Sequence, residues 1–446
     1  MQATPNNVIA SVAPYVVPID PATPVLDFEK SKGPRFYDRN VEKLILDFAS
    51  HFASLPLGYN HPGFFEAEFE RELLQVSRIR VANLDVLSDS YVKFFDTFRR
   101  IVGLPGFEKY FFIDGGALAI ENALKTAFDW KVRRNIRLGK GERGTEVLHF
   151  REAFHGRTGY TMSLTNTADP NKTKLYPKFN WPRVLNPKVR FPLEGENLRA
   201  TIDVERTAMN EIEAIFKQKA DDIAAILIEP HQGEGGDNHF RPEFLQFLRR
   251  MADTHDTILI FDEVQCGMGM SGKMWACEHS GVLPDIIAFA KKAQVGGIMC
   301  SNRILEEPDN VFVVPSRISS TWGSSLTDMV RCRKYLDIIE AENLVEHADK
   351  MGKQIVERLQ DLAARTELIE NVRGLGLLIA FDMVNPETRS EYYNKLYDNG
   401  LMVLVCGDKS IRFRPHLNVT QEAVDEAFEI IERTLRAIPV PMVTSN

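Results

Sequence analysis

Two short runs, residues 223–228 and 257–261, are apolar almost from end to end and flank a helix that Pro242 opens and that runs to about His255. A strand without apolar–polar alternation has to be covered on both faces. That condition selects a parallel sheet lying between layers of helices, with right-handed crossovers. The same texture recurs on either side. Short apolar strands are expected at 44–48, 110–113, 147–150 and 286–289, and the spacing of Ala119, Ala123, Leu124, Ala127 and Phe128 predicts a helix over 117–130.

Beyond about residue 325 the pattern changes. Residues 326–341 and 344–364 read as long amphipathic helices, and 377–381 and 410–413 as strands. Thr420 is placed to cap a last helix whose apolar face is Val424, Ala427, Phe428, Ile431 and Leu435. A chain of 446 residues exceeds the usual reach of one hydrophobic core, so a second, smaller α+β unit is expected here. Residues 1–25, rich in Pro, Ala and Val, read as an irregular arm without helical periodicity.

Composition removes several function classes. The formal charge of −8 and pI near 5.8 give no global attraction for nucleic acid or anionic lipid. No run approaches 18 apolar residues, and the start lacks a basic stretch followed by a long apolar one, so neither a membrane partner nor secretion is expected and the cytoplasm is. Five scattered cysteines without a CxxC pair argue against a disulfide scaffold or structural zinc, so no metal is expected.

The chemistry-bearing residues sit where strands end. Asp262 closes an apolar strand, and in an open parallel sheet ligands bind beyond the carboxyl ends of the strands. A carboxylate there can hold a metal ion, an amine or a protonated ring nitrogen; it can equally cap a helix. Lys291 and Lys292 follow the strand 286–289. A desolvated lysine becomes a neutral nucleophile, while a solvated surface pair is the bland alternative. Gly296 and Gly297 permit a tight turn close to a ligand.

The Asp114-Gly115-Gly116-Ala117 segment, between strand and helix, can offer backbone amides to a phosphate. Ser319-Ser320-Thr321-Trp322-Gly323 can add hydroxyl donors or be an ordinary turn. Phe154 offers a ring for stacking and Arg157 a two-pronged grip for a carboxylate. A glutamate of the glycine-rich segment 229–236 and an arginine of 412–415, in the second unit, are candidates for an ion pair between domains.

Together these residues resemble the class III, omega-amino branch of the pyridoxal-phosphate aminotransferases, over about residues 44–436. The most specific match is Phe261-Asp262-Glu263-Val264-Gln265 followed by Pro284-Asp285 and Phe289-Ala290-Lys291, with 29 positions between Asp262 and Lys291. The resemblance implies a fold-type I α/β enzyme with a mostly parallel central sheet. It divides the chain into an arm and a segment packing on the small domain (1–60), a large cofactor-binding domain (61–325) and a small C-terminal domain (326–446). The cofactor implied is pyridoxal 5'-phosphate, in a homodimer with the active site at the subunit interface.

In the roles so implied, Lys291 forms the Schiff base, Asp262 faces the ring nitrogen, Gln265 bonds the ring hydroxyl and Phe154 stacks on the ring. Gly116 and Ala117 hold the phosphate, and Thr321 reaches the phosphate of the neighbouring subunit. Counting back from the paired glycines favours Lys292 instead; the distance from Asp262 and Asp285 along the strands favours Lys291.

Within the family the strings 114–122, 177–183 and 312–322 are similar to the branch acting on the 6-amino group of L-lysine with 2-oxoglutarate as acceptor. Arg157 then holds the α-carboxylate of lysine, and Glu234 masks Arg412 until 2-oxoglutarate binds. Ser319 departs from that branch, which has Asn there. Ornithine, 4-aminobutyrate or a diamine are the alternative donors, and a noncatalytic scaffold is the alternative of another class.

Overall fold

The computed structural model describes residues 8–79 and 84–439. The chain opens with a short helix, Val8–Val12, where an irregular arm was expected; residues 1–7 of that arm lie outside the described residues. Strands β1 (Leu26–Lys32), β2 (Arg35–Asp38) and β3 (Lys43–Asp47) follow as an antiparallel meander.

The central sheet comprises β4 (Phe107–Ile113), β5 (Glu146–Phe150), β6 (Arg183–Val184), β7 (Ile223–Ile228), β8 (Ile258–Asp262), β9 (Ile286–Phe289) and β10 (Gly296–Ser301), in the order β4-β10-β9-β8-β7-β5-β6. From β9 to β6 every neighbouring pair is parallel; β10 runs antiparallel to both β9 and β4.

The unbroken apolar strands are explained by what covers them. Ala225, Leu227, Ile258 and Ile260 face one core, shared with Ala119, Ile120, Ala123 and Leu124 of the helix Gly116–Arg137. Ile226, Ile228, Leu259 and Phe261 face the other, shared with Phe244 and Leu248 of the helix Pro242–Thr254. All eight strand side chains are essentially without solvent contact. At about 25 cal/mol per Å² of apolar surface removed from water, this double burial is the main force holding the sheet.

Further elements depart from the sequence expectations. Gly296 and Gly297 do not form a turn. They lie in β10, between β9 and β4, where a Cβ on Gly296 would stand 2.5 Å from the Gly115 carbonyl oxygen and one on Gly297 would stand 2.5 Å from that of Phe111. Their smallness lets strands approach the chain that enters the helix at Gly116. The helix Gly195–Lys219 had no expectation at all, although its buried residues Thr201, Glu205, Ala208, Ile212 and Phe216 follow helical spacing.

The third sheet contains β11 (Ile369–Leu375), β12 (Leu378–Met383), β14 (Leu404–Cys406) and β15 (Ser410–Phe413), all antiparallel; the intervening β13 (Leu401–Met402) pairs in parallel with β3. Its core takes Leu46, Phe48 and Leu57 from the N-terminal segment and packs them with Phe413, Leu417 and the helix Gln421–Arg436. The Arg414 amide donates to the Phe48 carbonyl. The segment after β3 is therefore tied to the C-terminal sheet while running past the ends of the central one.

Candidate active site

Asp262 and Lys291 finish adjacent strands. Asp262 pairs in register with Ala288, and the Glu263 amide donates to the Ala288 carbonyl at 2.9 Å. The Asp262 carboxylate is buried and fixed: Oδ1 accepts from the Val264 amide at 3.1 Å, and Oδ2 meets His155 Nδ1 at 2.8 Å. His155 is itself enclosed, with its amide bonded to Thr165 Oγ1 at 3.0 Å. An acid so held presents a set orientation to any cation beyond it.

Behind it, Glu229 joins two loops. Oε1 accepts from the Phe154 amide at 2.9 Å and Oε2 from the Gly233 amide at 3.1 Å. Burial pushes this carboxyl up to about 7; His155 opposes the rise and the neighbouring Asp262 adds to it.

After β9 the chain makes a short 3₁₀ turn, Lys291–Ala293, with Lys291 at φ 50° and Gln294 at φ 59°. These left-handed values at residues carrying side chains are strain of the kind concentrated at functional sites. Lys291 lines a cavity of about 400 Å³ together with Gly115, Ala290, Gly296, His51 and Ser54. Its Nζ donates to the Phe52 carbonyl at 3.0 Å. Burial, with Arg412 and Arg414 nearby, lowers its amine to about 8, against the pull of Asp262 and Glu229.

Lys292 points elsewhere. It is fully buried, and its Nζ donates to the Gln265 carbonyl at 2.7 Å and the Ala53 carbonyl at 3.4 Å. Burial, then Lys291, lowers it to about 7. Its amine ties the strand end after β8 to the segment after β3.

The carbonyls gripped by these amines belong to a left-handed turn. Ser50, His51, Phe52 and Ala53 have φ of 40°, 50°, 59° and 63°. Each such non-glycine residue costs about 1–2 kcal/mol. Asp47 offsets part of that, its Oδ1 accepting from the Ala49 and Ser50 amides at 2.8 and 2.7 Å while Oδ2 accepts from Tyr59 Oη at 2.8 Å. Gln294 Nε2 adds a bond to the Ser54 carbonyl at 2.9 Å. Nothing in the local sequence, which has no glycine here, signals this turn.

Opposite, the helix Gly116–Arg137 begins from Gly115 at φ 88°. A Cβ on Gly116 would lie 2.8 Å from Val264 Cγ1, so only glycine lets the helix start against the Asp262 strand end. The first amides, those of Gly116 and Ala117, are the ones a helix leaves for an anion.

The C-terminal sheet contributes Arg412 and Arg414. Gln265 Oε1 accepts from Arg412 Nη1 at 3.2 Å and from Arg414 Nε and Nη2 at 3.3 and 3.1 Å. With its oxygen so used, the Gln265 NH₂ is the group available to a ligand. Arg414 also pairs with buried Asp237. Burial alone would raise that carboxyl; Arg414 and His231 outweigh it and hold it far below the usual carboxylate range.

The expected ion pair between Glu234 and Arg412 is not present. Glu234 Oε1 pairs instead with Lys172 Nζ at 2.5 Å, from the turn Pro170–Lys172. A flexible lysine on a neighbouring turn reaches the carboxylate, while Arg412 is held at Gln265. Phe154 is half-buried, whereas Arg157 and Thr321 are exposed on this chain. The sequence reading gave no role to Lys172 or to the turn at 50–53. His155, Glu229 and Arg414 lay within segments it singled out, but their ties to Asp262, to the Phe154 and Gly233 amides and to Asp237 were not foreseen.

This fold, with an oriented acid and a desolvated lysine on neighbouring strand ends beside a helix N-terminus, defines a fold-type I pyridoxal-phosphate enzyme. The model of the aminotransferase class-III family matches residues 18–435, and the chain belongs to that family. It is 44% identical over 417 residues to the L-lysine-epsilon aminotransferase of Mycobacterium tuberculosis, covering 93% of this chain and 92% of that protein. The human mitochondrial 4-aminobutyrate aminotransferase is 30% identical over 416 residues, covering 88% and 81%. A solved lysine aminotransferase from M. tuberculosis superposes with a TM-score of 0.95 at 43% identity, over 98% of this chain and 100% of that one.

Pyridoxal 5'-phosphate is the cofactor, and the residues present fit it. A lysine amine with a lowered proton affinity lines the cavity with the helix cap, and the Gln265 NH₂ is left as a donor. Buried His155 Nε2 and Arg412 Nε have no hydrogen-bond partner among the described residues, the sort of vacancy a polar ligand or its water shell fills. No helix of the described residues is long and apolar enough to cross a membrane.

Proposed function

We propose that this enzyme moves the 6-amino group of L-lysine to 2-oxoglutarate, giving 2-aminoadipate 6-semialdehyde and glutamate. The observation that carries the choice of donor is the 44% identity, over nearly the full length of both chains, to a protein named for that donor. Bound pyridoxal phosphate supplies an aldehyde to take up the amino group and a ring that accepts the electron pair left on the reacting carbon.

The protein's own residues supply the rest. Asp262, held by His155, keeps the ring nitrogen protonated, and Gln265 donates to the ring hydroxyl. Phe154 packs on the ring face, Gly116 and Ala117 hold the phosphate, and Thr321 reaches the phosphate of the partner subunit. Lys291 binds the cofactor and, once released, carries the proton off the amine-bearing carbon of the donor; an amine near 8 exchanges protons readily at neutral pH. Arg157 holds the α-carboxylate of lysine, so that the far amine enters first. Arg412 receives the α-carboxylate of 2-oxoglutarate, with Glu234 as the charge that cancels it when the donor is bound.

The same reading takes the enzyme as a cytoplasmic homodimer, with domains at 61–325 and 326–446 and the segment 1–60 packed on the smaller. A donor panel with 2-oxoglutarate tests it. L-Lysine should lead ornithine and 4-aminobutyrate by a wide margin in kcat/KM. A lead for 4-aminobutyrate, the substrate named for the 30% identical relative, would overturn the assignment of the donor.

A further inference from the structure

The backbone of the loop carrying Glu234 is anchored on both sides of that residue. The Glu234 carbonyl accepts from the Gly407 amide at 3.1 Å. Arg373 donates to the Gly236 carbonyl and, at 3.0 Å, to that of Asp237. Glu229 holds the Gly233 amide. The backbone on both sides is fixed, so the side chain is the part free to choose a cation.

Two cations bear on it, Lys172 by contact and Arg412 by the role given above. Arg412 is held in β15, hydrogen-bonded into the sheet between Ala380 and Leu404, and is 4% exposed. Its one side-chain bond is to neutral Gln265, and its Nε is buried without a partner among the described residues. Lys172 comes from a turn capped by Asp169, whose Oδ1 accepts from the Asn171 amide at 2.9 Å, and it holds Glu234. A buried guanidinium left without a counter-charge is costly and attracts whatever carboxylate can reach it.

We propose that Lys172 is a specificity-determining residue: by holding the Glu234 carboxylate it leaves Arg412 uncancelled, and so biases the resting site toward the dicarboxylate substrate. The inference rests on the roles given above to Glu234 and Arg412. It makes substrate order a competition between an amine on a surface turn and a guanidinium in the sheet for one carboxylate. Removing the amine returns Glu234 to Arg412. The site then favours a donor whose reacting end carries no carboxylate.

The test is calorimetric titration of the holoenzyme with glutarate, an unreactive dicarboxylate, alongside single-turnover rates for L-glutamate and for L-lysine. Lys172→Met should weaken glutarate about three- to fivefold, the scale of a partly exposed ion pair. It should raise the half-saturation for L-glutamate by a similar factor and leave that for L-lysine unchanged or lower. Lys172→Arg should restore the wild-type values. In a Glu234→Ala background, Lys172→Met should have no effect on glutarate, because the competing carboxylate is gone.

Unchanged glutarate affinity in Lys172→Met, or an equal loss in the Glu234→Ala background, overturns the proposal. Glutarate and glutamate are read independently of the donor. If lysine proves a poor substrate, the proposed function fails while these measurements still decide the role of Lys172.

Discussion

One side of the candidate site is made of strand ends and a helix N-terminus, and the other of a left-handed turn and two arginines from a separate sheet. In the first, Asp262, Lys291 and Gly116 sit where short apolar runs stop, and their neighbours along the chain put them there. In the second, the turn at 50–53 meets residues more than 200 positions away: Lys291 and Lys292 bond to its carbonyls and Gln294 to that of Ser54 just after it. The first carries its polar groups at the ends of regular elements. The second is strained, and it is held in place by the groups it helps to position.

The largest effect expected from breaking this contrast is at Lys291. Lys291→Ala should lower turnover at least about a thousandfold, since it removes both the cofactor-binding amine and the proton carrier. Borohydride reduction followed by peptide mass spectrometry should place the phosphopyridoxyl label of the wild-type enzyme on Lys291, and Lys292→Ala should keep it there. A label on Lys292 would exchange the reacting amine for the structural tie and erase the division between the two sides.

The next effect is on stability. Arg414→Met leaves Asp237 charged, buried and without its main partner. A loss of about 3–5 kcal/mol is expected in denaturant unfolding. A loss below about 1 kcal/mol would mean that the second side does not depend on its buried charges.

The smallest concerns the turn itself. Phe52 is exposed and left-handed. Phe52→Gly should therefore be more stable than Phe52→Ala by about 1 kcal/mol, the reverse of the order in an ordinary helix. Equal stabilities, compared by thermal unfolding, would show that the turn relaxes when its side chain is trimmed and that its strain is not a fixed property of the site.

Much of this was visible before the fold. The strands at 223–228 and 286–289 and the helix at 326–341 stand where the apolar pattern put them, because burial on both faces leaves a local signature. The choice of Lys291 over Lys292 followed from distance along adjacent strands, and the cavity has Lys291 in its wall and Lys292 behind it. Gly296 and Gly297 were misread as a turn. A glycine needed for close approach across a sheet looks, in one dimension, like a glycine needed for a bend.

The cation that holds Glu234 in this structure, Lys172, was not foreseen. Charge type and family resemblance pointed to Arg412, but which cation is within reach depends on where the turn Pro170–Lys172 lands. The sequence alone determined where Asp262 and Lys291 stand, at the ends of adjacent strands, and the sheet that carries them, since each depends on a few neighbouring residues. The tertiary structure decided the left-handed turn, the His155–Asp262 and Glu229 ties, and the charge held by Glu234. Those depend on contacts between segments tens to hundreds of residues apart, and a contact of that kind leaves no mark in either segment.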